Sequence, residues 1–191
     1  MRICIYGASS NEIDKRYIEE TEELGFELAK RGHSLVFGGG TNGLMGAAAR
    51  GFTKGGGEIV GVAPKFFNVD GILYDKCTEL IRPNTMRERK QILEDRSDAF
   101  VVVPGGIGTF DEFFEILTLK QLGRHNKPVA VYNINGYYDA MGKMIDTAID
   151  GGFMREACRE IFGIISEREE IIEYIEAYKT EAYEVNELKN I

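Results

Sequence analysis

Residues that build metal centres and disulfide frameworks are scarce in this 191-residue sequence. It has three cysteines, Cys4, Cys77 and Cys158, and two histidines, His33 and His125. The cysteines are far apart, odd in number and form no CxxC pair. That argues against a zinc site and against a disulfide scaffold, and it fits a reducing cytoplasm. No long basic run occurs and the net charge is −8, so a general nucleic-acid binder is excluded from the leading readings. A small anionic ligand stays compatible, because local amides and a few cations decide that. The apolar start Ile3-Cys4-Ile5-Tyr6 is far too short for a signal peptide or a membrane span. No Gly-Lys-Ser/Thr phosphate loop exists, which disfavours an ATPase. Repeats, low-complexity stretches and interdomain linkers are missing too. One domain over residues 1–180 with a polar tail at 181–191 is therefore expected. What remains is ordinary for a soluble globular chain: 43% hydrophobic and 28% charged residues, with enough length for a core.

Short apolar runs alternate with amphipathic stretches. Strands are expected at 2–6, 35–37, 59–62, about 77–81, 101–103, 129–132 and 161–165. Between them, helices are expected from Tyr17 to Leu28 with Gly32 closing, at 44–49, 85–96, 109–122, 137–150 and 167–178. Residues 64–75, with Phe66 and Phe67, read as an irregular loop. Alternating β and α elements imply an α/β fold with a mainly parallel sheet and helices on both faces. Ligands of such folds bind at the carboxyl ends of the strands. The glycine-rich turns at 7–10, 38–43 and 104–108 each follow a strand, so all three should meet on that edge. Ser9, Gly39 and Gly40 are candidate ligand contacts on this ground.

The most informative segment is Val101-Val102-Val103-Pro104-Gly105-Gly106-Ile107-Gly108-Thr109-Phe110-Asp111-Glu112. A β-branched run ends in a glycine turn and a helix then begins. Such a junction presents unpaired N–H groups and the positive end of a helix dipole to an anion. The Thr109 hydroxyl can donate as well. Asp111 and Glu112 would stand beside whatever carries the phosphate, which suggests a phosphorylated substrate and acid–base or glycosidic chemistry. Asp111, Glu115 and Thr118 make a second row at i, i+4, i+7, although acids in a first helical turn also simply complement the dipole.

Gly38-Gly39-Gly40-Thr41-Asn42-Gly43 satisfies GxGxxG, but it follows the second strand, and the next strand ends in Ala63-Pro64-Lys65 without a ribose-binding acid. A mononucleotide-lining loop or plain tight packing are the readings left open there. In Met86-Arg87-Glu88-Arg89-Lys90, the positions Met86, Lys90 and Leu93 fall on one stripe with Arg89 beside it. Inward-facing cations need an anionic partner such as a substrate phosphate or Glu112. His125 reads as a loop or interface residue, and Tyr137-Tyr138 as packing.

Pro104 to Glu112 resembles the PGGxGTxxE motif of the LOG (Lonely Guy) family, the cytokinin riboside 5′-monophosphate phosphoribohydrolases. Gly38-Gly39-Gly40 with Gly43-Leu44-Met45-Gly46 is similar to that family's GGGxxGLMG. Met86 to Lys90 is similar to its MxxRK, and Ser97-Asp98-Ala99-Phe100 to its strand lead-in. The similarity runs from the first strand to about residue 165. It implies a Rossmann-like homodimer that hydrolyses the N-glycosidic bond of an adenine-type nucleoside 5′-monophosphate, with no metal and no cofactor. It also implies Arg89 and Glu112 as the catalytic pair. Lys90, Gly105, Gly106, Ile107, Gly108, Thr109, Phe110, Asp111 and Thr118 fall at or beside substrate-binding positions. The family's acidic contact before MxxRK is replaced by Phe67-Asn68-Val69-Asp70-Gly71, with Asp70 the candidate substitute. A non-catalytic nucleotide or cofactor carrier of the same fold is the rival reading.

Overall fold

In the computed structural model, residues 1–67, 71–179 and 188 are described. They form seven strands and six α-helices, alternating except that β3 is followed directly by β4: β1 Arg2–Tyr6, α1 Lys15–Lys30, β2 Ser34–Phe37, α2 Gly43–Gly55, β3 Ile59–Val62, β4 Glu79–Ile81, α3 Met86–Asp95, β5 Ala99–Val102, α4 Ile107–Gln121, β6 Val129–Tyr132, α5 Asp139–Asp150, β7 Gly163–Ile165 and α6 Arg168–Ala177. All pairings are parallel, in the order β4-β3-β2-β1-β5-β6-β7. The order reverses between β1 and β5, where Ile3 lies opposite Ala99 and Tyr6 opposite Val102. Diverging connections at such a switch point leave a crevice beyond the strand ends.

Strand side chains sort by the period of two. Ile3, Ile5, Leu35, Phe37, Ile59, Val101 and Tyr132 bury against α1, α2 and α6. Cys4, Tyr6, Val36, Val60, Phe100 and Val131 bury against α3, α4 and α5. Helices on both faces thus make the expected α/β layers. Thr85 caps α3 by accepting from the Glu88 amide at 3.1 Å, and the Glu88 carboxylate reaches back to the Asn84 amide at 2.7 Å.

Several boundaries differ from the sequence reading. The second helix extends to Gly55 because Gly56, at φ 77°, closes it, which the small-residue run alone did not indicate. The helix expected at 137–150 starts at Asp139, after a 3₁₀ turn at Ile134–Gly136 that leaves Tyr137 in the connection. Within the polar tail the described residue, Leu188, is buried, and its carbonyl accepts from Gln121 Nε2 at 3.0 Å and Cys158 Sγ at 3.2 Å. The rest of 181–191, and Asp70, lie outside the described residues.

Among the described residues no helix is long and apolar enough to cross a membrane, and no group of His, Cys, Asp and Glu side chains is gathered as a metal site. The three cysteines are free.

Candidate active site

A cleft of about 580 Å³ opens at the switch point, and ten of the sequence-derived candidates line it: Ser9, Gly40, Arg89, Lys90, Gly106, Ile107, Gly108, Thr109, Asp111 and Glu112. The turns after β1, β2 and β5 therefore do converge on one edge.

The floor is an ion pair. Arg89 Nη1 donates to Glu112 Oε1 at 2.7 Å, and Arg89 Nε donates to the Val62 carbonyl at 3.1 Å. The side chains are only 9% and 10% exposed, so both charges have left water and depend on each other. Burial pushes the Glu112 carboxyl above its ordinary value while the adjacent Arg89 guanidinium opposes that rise. The arginine fits because of Gly38. A Cβ at that position would lie 2.2 Å from Arg89 Nη2, and the guanidinium cannot swing away without abandoning Val62 and Glu112. Below the pair, the Cys4 thiol is pushed up to about 12, chiefly by burial, and stays protonated.

Lys90 stands at the rim. Its ammonium group meets Glu115 at 2.6 Å and Asp111 at 3.1 Å. The hydrogen bond to Glu115 chiefly raises its pKa, so the cation is held charged. The i, i+4 row of Asp111 and Glu115 thus grips a lysine.

Two helices start at the cleft, and they differ in a way that locates an anion. At α2 the orphan donors are consumed by protein: the Gly43 amide donates to Asn11 Oδ1 at 2.8 Å, and the Leu44 and Met45 amides donate to the Ala8 carbonyl. The first amides of α2 are therefore engaged by protein, and Gly38, Gly40 and Asn42 of the GxGxxG-like turn line the cleft. At α4 the N-cap is Gly106 and no side chain caps the helix among the described residues. Gly106, Ile107, Gly108 and Thr109 at the start of α4 all line the cleft, and a helix start leaves its first amides without intrahelical partners.

Four candidates lie elsewhere. Gly39, at φ 77°, turns behind the cleft, where its carbonyl accepts from the Tyr74 amide at 2.9 Å. Gly105 is packed beneath the turn, where a Cβ would lie 2.1 Å from Thr109 Oγ1. Phe110 packs edge-on against Tyr138. Thr118 is exposed about three turns down α4 and borders a separate cavity with Phe114 and Phe153.

The inward stripe on α3 also needs correction. Arg89 and Leu93 are its buried residues, whereas Met86 is 41% exposed at the cleft mouth. His125 is no site residue: its Nε2 lies 2.8 Å from the Ile116 carbonyl, and burial lowers its pKa to about 4.

Sequence reasoning missed Gly7, Ala8, Gly38, Asn42, Met45, Phe67, Ile72, Leu73 and Met86 as lining residues. Gly7, Ala8, Gly38 and Asn42 sat inside turns already singled out. Ile72 and Leu73 reach the cleft through non-local pairing, an antiparallel bridge between Gly40 and Leu73 and the Thr41 amide donating to the Ile72 carbonyl.

Residues 45–175 match the family model described as "Possible lysine decarboxylase". The cytokinin riboside 5′-monophosphate phosphoribohydrolase LOG of Oryza sativa subsp. japonica is 38% identical over 184 residues, covering 96% of this chain and 76% of that protein. A cytokinin riboside 5′-monophosphate phosphoribohydrolase of Arabidopsis thaliana is 36% identical over 177 residues, covering 93% of this chain and 83% of that protein. Among solved structures, the molybdenum cofactor binding protein of Rippkaea orientalis superposes with a TM-score of 0.70 at 22% identity, over 92% of this chain and 95% of that one. The molybdenum cofactor carrier protein of Chlamydomonas reinhardtii gives 0.70 at 23% identity, over 92% and 95%. At those identities the two structures share the fold alone, whereas the family model spans the turn after β5 and both Arg89 and Glu112. On that footing the chain belongs to the LOG phosphoribohydrolase family, the family whose sequence model carries the lysine decarboxylase description.

Proposed function

We propose that this chain hydrolyses the N-glycosidic bond of an adenine-type nucleoside 5′-monophosphate, releasing the free base and ribose 5-phosphate. One observation carries the reading. A helix start that no side chain caps among the described residues and a buried carboxylate–guanidinium pair share a single cleft. From Gly108 to Glu112 is about one helical turn, roughly 5.4 Å. An anchored 5′-phosphate would thus bring the sugar against the carboxylate.

Cleavage passes through a sugar with oxocarbenium character. The Glu112 carboxylate faces that developing positive charge and can take the proton of the water that attacks C1′. The electrons of the broken C–N bond leave with the base. Arg89 holds the carboxylate ionised and in place. The phosphate anchor supplies orientation, an entropic contribution to rate. Decarboxylation through a pyridoxal Schiff base finds no support. Lys90, the lysine lining the cleft, is engaged by Asp111 and Glu115 rather than left as a free amine.

Product analysis tests the reaction. Incubation with adenosine 5′-monophosphate or an N6-alkylated relative is expected to yield free base and ribose 5-phosphate in equal amounts. Binding without either product would favour the carrier reading. A phosphorylated sugar joined to another acceptor would indicate a transferase.

The assembly proposed is a symmetric dimer in a reducing compartment such as the cytoplasm, with no nucleic-acid or membrane partner. On α3 and α4, Leu93, Phe113 and Leu117 are core and Ile92 is half-buried, leaving Phe114 exposed. Met144 at 54% and Phe153 at 87% exposure are the better-placed candidates. Light scattering at micromolar concentration is expected to give twice the 21.4 kDa chain mass. A fully active species at the monomer mass would overturn it.

A further inference from the structure

We infer that Tyr137 is a positioning residue for the substrate phosphate, acting through the peptide between Gly105 and Gly106. This rests on the phosphate-anchoring reading above. An anion site made of backbone amides fails if a neighbouring carbonyl turns into it, because the carbonyl oxygen carries partial negative charge. The turn after β5 has three carbonyls that could do so, and each is committed to a donor. Tyr138 Oη donates to the Val103 carbonyl at 2.8 Å, the Ala8 amide to the Pro104 carbonyl at 3.0 Å, and Tyr137 Oη to the Gly105 carbonyl at 2.6 Å.

The last of these is the one that matters most. In a trans peptide the C=O and the following N–H point in opposite directions. Holding the Gly105 carbonyl behind the turn therefore aims the Gly106 amide the other way, toward the cleft that Gly106 lines. A Gly–Gly peptide is also the one with least steric resistance to flipping, since neither flanking residue has a Cβ. The tyrosine hydroxyl supplies the restraint that side chains would otherwise provide. Its ring is set edge-on against Tyr17 at 6.1 Å and Tyr138 at 4.9 Å, so the hydroxyl is delivered from a fixed platform. The 3₁₀ turn that displaces the start of α5 puts Tyr137 in this position.

Tyr137→Phe removes the hydroxyl and keeps the ring contacts, and the side chain is 41% exposed, so the variant should fold with its melting temperature nearly unchanged. Calorimetric binding of adenosine 5′-monophosphate and adenosine, in a Glu112→Gln background to prevent turnover, reads the effect. The expected result is a three- to tenfold weakening for the monophosphate, about the worth of one restraining hydrogen bond, and no change for adenosine. Equal weakening for both ligands would mean a general structural role and would overturn the inference, as would no weakening of either. If Glu112→Gln with Tyr137 intact bound the monophosphate no more tightly than adenosine, the anchoring reading would fail first and the brace with it.

Discussion

Glu112→Gln is expected to lower the rate of base release by on the order of 10²–10³, the usual worth of one charge-stabilising group in a reaction of this kind. Glutamine keeps the size of the side chain and an oxygen to accept from Arg89 Nη1, so the cleft retains its shape. It cannot supply negative charge to the sugar or accept a proton from water. Arg89 loses its counter-charge, and stability should fall by about 1–3 kcal/mol, leaving a folded protein. The pH dependence gives an independent readout. The carboxylate works ionised, and burial raises its pKa against the opposing effect of Arg89. In the wild type kcat/KM should fall as pH drops through that raised value. Arg89→Ala removes the opposing cation, so the acid limb should move to higher pH, while in Glu112→Gln it should vanish. Near-wild-type turnover by the purified glutamine variant would remove Glu112 from the chemistry.

What was legible in the sequence is what depends on neighbours along the chain. The strand–turn–helix at 101–112 is local, and its chemistry could be read before any contact was known. The sheet order could not, since the pairing of Ile3 with Ala99 joins residues almost a hundred positions apart, and the switch point exists only once that pairing is made. Helix periodicity put Met86 on the inward stripe of α3 and Arg89 only beside it, whereas Met86 is exposed and Arg89 buried. Gly38 makes the difference by leaving a slot that the guanidinium fills, with Val62 and Glu112 as its partners. Tyr137 was read as packing for a similar reason. Its ring does pack, but its hydroxyl acts on a carbonyl 32 residues earlier, and no pattern in the sequence encodes that bond. Thr118 is the reverse case: the motif resemblance points to it, yet within one chain it borders a different cavity from the other candidates.

Removing the 5′-phosphate from the substrate should be the other large effect, with kcat/KM for the nucleoside about 10²–10³ below that for its monophosphate. Hydrogen bonds to a charged group each contribute about 1.5–3 kcal/mol, so two well-aligned amides of the α4 start, helped by the helix dipole, account for that range. The loss should fall on kcat as well as on KM. The same anchor that binds the phosphate fixes C1′ relative to Glu112, and binding energy at a remote group that orients the reacting centre is realised in the transition state. The contrast between the two helix starts makes the expectation specific. The α2 amides are already bonded to Asn11 and Ala8, so a phosphate placed there would have to displace protein acceptors, whereas at α4 no side chain among the described residues caps the first donors. Side-by-side kinetics with adenosine and adenosine 5′-monophosphate decide the matter. Equal kcat/KM for the two would leave the α4 start without a ligand and would require the cleft to grip the base instead, through Met45, Phe67, Ile72 and Met86 on its apolar side.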